Sequence, residues 1–117
     1  MIKHKVSFYP DYTIKTFSEY SEDVLVFYQE FNKDGLSTFS ESVDGEIKKF
    51  EYDTKKRIKR AYHKDKVGNI SWKKYSYSKE KLIVLHRREG TPSVIHKMIF
   101  GPKDENGERP LITENFI

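Results

Sequence analysis

The sequence predicts an all-β fold: an antiparallel meander of about eight or nine short strands, forming a curled sheet or a small open or closed barrel. Three observations predict it. An aliphatic residue recurs every 11 or 12 positions, a polar turn sequence separates most recurrences, and aromatic residues reach 15% of the chain. At 117 residues the chain has material for one core, so residues 1–117 are read as a single domain.

The aliphatic series runs Val24, Leu36, Ile47, Ile58, Ile70, Leu82 and Val94, with separations of 12, 11, 11, 12, 12 and 12. Between these positions lie turn formers: Asn32-Lys33-Asp34-Gly35, Asp44-Gly45, residues 65–69 with Gly68, Glu89-Gly90-Thr91-Pro92, and Gly101-Pro102 ahead of Asn106-Gly107. Turns at this spacing leave about six or seven residues per strand, the ordinary length in short-hairpin proteins. One segment competes. Phe17, Tyr20, Val24, Phe27, Tyr28 and Phe31 follow helical spacing, with Ser18 or Ser21 as a cap and Gly35 as a stop, so a short helix near residues 18–32 is the alternative there.

Alternation divides each unit between two faces. Val24, Val26, Leu36, Ile47, Ile58, Tyr62, Ile70, Trp72, Leu82, Val84, Val94 and Met98 are expected on one, and Leu25, Phe27, Phe39, Phe50, Tyr52, Tyr75, Leu85 and Ile99 on the other. Both faces are then partly apolar. Such a sheet must curl on itself, fold end strands across a face, or bury one side against a partner.

The stretches Tyr52-Asp53-Thr54-Lys55-Lys56-Arg57-Ile58 and Asp65-Lys66-Val67-Gly68-Asn69-Ile70 resemble the YD repeats of Rhs-type proteins, and Val43-Asp44-Gly45-Glu46-Ile47 is a shortened echo. The likeness covers roughly residues 24–100. Lys56 stands where the repeat has Gly, and His63 and Tyr77 replace or shift the Tyr-Asp pair. The resemblance implies a meander of paired strands and a setting of polymorphic toxins and their small immunity proteins. Long arrays of this family wind into shells around toxins; a chain this short encloses nothing of protein size.

Charge is unevenly placed. Residues 1–53 hold six Lys or Arg against eleven Asp or Glu, residues 54–91 hold thirteen against three, and residues 92–117 hold three against four. The basic block covers the strands begun by Ile58 and Ile70. As hairpin neighbours these place Arg60, Tyr62, Trp72 and Lys74 on one face, and with Tyr75 they form the candidate interface. Trp, Tyr and Arg are the side chains that most often anchor protein interfaces. The same cations beside rings also suit phosphates and bases, so a nucleic-acid module is the alternative. The acidic first half suits a basic partner such as a nuclease toxin.

His86 and His96 are expected as a cross-strand pair about a turn near Thr91. A metal would need a third ligand, for which His4 and Glu89 are the only candidates, so paired surface histidines without metal are expected. No nucleophile elbow, metalloprotease helix or phosphate-binding loop occurs in the sequence, and no cofactor or catalytic residue is assigned. The chain has no Cys, and charges interrupt every apolar run in its first 17 residues, so no membrane contact and a cytoplasmic location are expected. The function expected is a non-catalytic protein-binding role, in its most concrete form the neutralisation of a bacterial toxin. A small β-barrel holding an apolar ligand is a third alternative.

Overall fold

The computed structural model describes residues 1–90 and 94–116. Ten strands follow in chain order: β1 (Ile2–Phe8), β2 (Ile14–Ser21), β3 (Val24–Phe31), β4 (Ser37–Ser42), β5 (Ile47–Tyr52), β6 (Ile58–Lys64), β7 (Ile70–Tyr77), β8 (Leu82–Arg88), β9 (Val94–Phe100) and β10 (Leu111–Phe116). They form one antiparallel sheet in which each strand bonds only to its neighbours in the chain. Every aliphatic of the repeat begins a strand, except Leu36, which precedes one by a single residue. The strand number exceeds the expected eight or nine because the segments outside the repeat supply β1, β2 and β10.

Local chemistry in the loops produces this regularity. Residues 9–13, 32–36, 42–46, 53–57, 65–69 and 104–108 share one backbone form: the fourth N–H donates to the first carbonyl, and the first N–H to the fifth carbonyl. This is a type I turn closed by a bulge, and it needs a left-handed fourth residue. Those residues are Tyr12, Gly35, Gly45, Lys56, Gly68 and Gly107, with φ of 68°, 79°, 98°, 64°, 95° and 78°. In four of the loops the first residue is Asn32, Asp53, Asp65 or Asp104. Its side-chain Oδ1 accepts the N–H groups two and four residues on, at 2.9–3.1 Å. The turn expected at Glu89 to Pro92 lies partly outside the described residues.

The helix considered for residues 18–32 does not form. Ser21 pairs with Val24 across a two-residue loop, and Glu22 and Asp23 both take positive φ, 49° and 65°. A primed turn of this kind matches the twist of the flanking strands, and the β-forming Val24, Val26, Phe27, Tyr28 and Phe31 continue it as β3.

The registers assign the two faces. His63 pairs with Ser71, Lys73 with His86, Tyr75 with Val84 and His86 with His96, so these share what is termed here the His face. Tyr62 pairs with Trp72, Arg60 with Lys74, and Lys74 with Leu85, which define the Trp face. Alternation within each strand holds, but the expected phase between strands does not. Leu82, Val84 and Met98 lie on the His face with Phe50 and Tyr75, whereas Phe39, Leu85 and Ile99 lie with Trp72. For β8 and β9 loop length is the reason: β6 and β7 are joined through the turn at 65–69, but β7 and β8 meet in a shorter turn closed between Ser78 and Lys81, which starts β8 on the opposite face.

Neither face acquires a second layer. Val84, 5% exposed, is the one buried hydrophobic side chain among the described residues. The sheet curls within extents of 49 × 40 × 21 Å, and β1 and β10 do not pair, so the closed barrel is excluded. Cross-strand contacts and the backbone ladder therefore carry a larger share of the stability than in a layered domain. At one end of the sheet, Tyr9, Tyr52 and Tyr77 hydroxyls donate to the carbonyls of Phe31, Ser37 and Ile58, at 2.7, 2.6 and 2.8 Å. These bonds tie strand ends together laterally. No helix among the described residues is long and apolar enough to cross a membrane.

Candidate functional site

The β6–β7 hairpin builds the basic aromatic patch. Asp65 sets the turn, and the resulting register places Arg60 opposite Lys74 and Tyr62 opposite Trp72. The Trp72 and Tyr62 rings meet edge to face, 4.7 Å apart at 69°. Glu89 Oε1 accepts the indole N–H at 3.0 Å, and Lys49 Nζ lies 5.1 Å from the centre of the Tyr62 ring. Trp72 is thus held on two sides yet stays 40% exposed. Around it Arg60, Lys74, Leu85, Arg87 and Ile95 line a shallow hollow of about 410 Å³. Carboxylates are interspersed: Arg60 Nε stands 3.9 Å from Glu51, and Glu89 belongs to the same rim.

Four of the five expected interface residues therefore come together, and Tyr75 does not. Alternation along β7 puts Tyr75 on the His face, where its ring stacks beside Tyr77 at 6.3 Å and 11°. Burial raises the Tyr75 phenol above its ordinary pKa.

His86 and His96 are paired across β8 and β9 as expected. The two candidate third ligands are held elsewhere. His4 belongs to β1 at the far edge, and Glu89 is engaged by Trp72. No group of three or more His, Cys, Asp or Glu able to hold a metal occurs among the described residues. His96 instead stacks on Phe116, 4.3 Å away at 5°, with its Nε2 2.5 Å from Glu114 but off the hydrogen-bonding direction. Burial lowers the pKa of His86, and the charges of Lys73, Arg88 and His96 lower it further.

A second hollow, of about 810 Å³, lies on the His face and escaped the sequence reading. Ala61 and Ser71, diagonal neighbours on β6 and β7, make its floor because they are small where adjacent positions are large. Its walls are Lys48, Phe50, His63, Lys73, Tyr75, His86 and Arg88. The available signal was a pair of small residues inside otherwise bulky strands, but placing them side by side requires the β6–β7 register.

No family model matches the chain, and a search of curated proteins finds no match.

Proposed function

We propose that this chain is a non-catalytic binding protein acting through a protein–protein interface on the Trp face, most concretely as an immunity protein that neutralises a bacterial toxin. One observation carries the reading: Trp72 is half exposed, fixed by Glu89 and Tyr62, and ringed by Leu85, Ile95 and the cations Arg60, Lys74 and Arg87. A rigid aromatic anchor with a charged rim is the arrangement that concentrates binding energy in protein interfaces. The mixed charge of the rim, with Glu51 and Glu89 among the cations, favours a protein surface over a phosphate backbone. The toxin setting comes from the likeness of residues 43–47, 52–58 and 65–70 to YD repeats.

The experiment is co-purification and calorimetry with the product of the neighbouring gene. A stable complex is expected, weakened roughly 30-fold by Trp72→Ala, or about 2 kcal/mol. A neighbouring product with toxin activity that neither binds the chain nor is inhibited by it would refute the toxin reading.

A further inference from the structure

We infer that the hollow on the His face is a second binding site, one that seats single-stranded nucleic acid independently of the Trp face. Charge separates the two faces. Among the strand residues that wall the hollow, Lys48, Lys73 and Arg88 are cations and none is a carboxylate; Asp65 and Glu89 reach only its rim. Both rim carboxylates are engaged elsewhere, Asp65 by the N–H groups of its turn and Glu89 by Trp72. Glu46 answers Lys48 at 3.6 Å and His63 at 3.5 Å, which leaves Lys73 and Arg88 with no ion pair among the described residues.

Burial is the main cause of the lowered proton affinity of His86, and the charges of Lys73 and Arg88 beside it lower it further. Phe50 and Tyr75, half buried on opposite sides of Ala61, supply ring faces. Cations that follow a backbone, combined with aromatic faces that stack on bases, form the general means of holding single strands without reading their sequence. A carboxylate-rich peptide would satisfy the cations but leave the rings unused. The hollow falls within the roughly 300–1,000 Å³ of small-ligand sites, so it seats only a short length of strand.

The test is fluorescence anisotropy of the whole chain with labelled oligo(dT) and oligo(U) of about ten nucleotides. Binding at about 50 mM salt is expected, falling steeply by about 200 mM. Lys73→Glu with Arg88→Glu should weaken it at least about ten-fold, since each removes one phosphate contact and introduces repulsion. Ala61→Leu, which fills the floor without changing charge, should also abolish most binding, whereas Lys3→Glu, a charge reversal on the distant edge strand β1, should leave it nearly unchanged. Unaltered circular dichroism and melting of the variants would exclude unfolding as the cause. Absence of binding at low salt, displacement by polyglutamate as readily as by oligo(U), or an equal loss on Lys3→Glu would each overturn the proposal. None of these outcomes bears on the protein partner of the Trp face.

Discussion

Single residues carry unusual conformational strain where the loop form is imposed on the wrong side chain. Lys56 occupies the left-handed fourth position that glycine fills in four of the six equivalent loops. Left-handed backbone costs an L-residue roughly 1–2 kcal/mol, and glycine gives back about 0.5–1 kcal/mol through its freer unfolded chain. Lys56→Gly should therefore stabilise the protein by roughly 0.5–1 kcal/mol, seen as a raised urea midpoint at unchanged slope. The lost Lys56–Asp34 contact, 3.4 Å between exposed groups, offsets little of this. A fall in the midpoint would refute the strain argument. Asp65 illustrates the opposite case, a side chain suited to its loop. The N–H of Asn69 first, with the Asn69 side chain and the N–H of Val67 after it, holds its carboxyl below the ordinary pKa of 3.8. A folded pKa below the unfolded one gives stability that is present above about pH 4 and lost as pH falls through the folded value. Asn32 performs the same turn with an amide, so Asp65→Asn should leave the midpoint at neutral pH nearly unchanged and flatten its decline in acid. An undiminished acid dependence would show that this carboxylate does not contribute.

Hairpins are the level at which the sequence was most legible. The repeat spacing and the Asx and Gly turn positions are local features, and local hydrogen bonds within five residues realise them, which is why every repeat start falls within a residue of a strand. The face partition was not legible in the same way. Moving from the turn at 65–69 to the shorter one at 78–81 reverses the phase of β8, so Val84 joins Tyr75 rather than Trp72. Tyr75 left the expected interface by alternation along β7 alone, whereas the dependence on register hid the floor made by Ala61 and Ser71. The hydroxyl ties between strand ends were likewise invisible, because each spans 15 to 22 residues. Tyr77 is the most informative of them: its O–H donates to Ile58, and Arg57 lies over its ring at 4.2 Å. Tyr77→Phe keeps the ring and leaves one half-buried carbonyl unpaired, which should cost about 0.5–1.5 kcal/mol in denaturation experiments. No measurable loss would assign the stability of that end to the ring contact alone.

For the whole molecule, a sheet whose one buried hydrophobic side chain is Val84 should not resist opening equally everywhere. Strands touch only their chain neighbours, so stability resembles that of a linear array, with terms added strand by strand. Amide hydrogen exchange should be slowest in β7, β8 and β9 around Val84 and progressively faster toward β1, where Ile2, Val6 and Phe8 are exposed. Uniform protection across the ten strands would instead reveal global two-state opening. The alternation of strand direction has a separate implication. Two consecutive strands are the smallest piece that returns the chain to the same end of the sheet, running the same way, with each face preserved. Hairpins could therefore be inserted or lost before β5 or after β9 while the hollow on one face and the tryptophan on the other stay intact, because both are built from β5 to β9 alone. The number of strands is in this sense a free variable, and the two hollows are properties of a fixed five-strand segment within it.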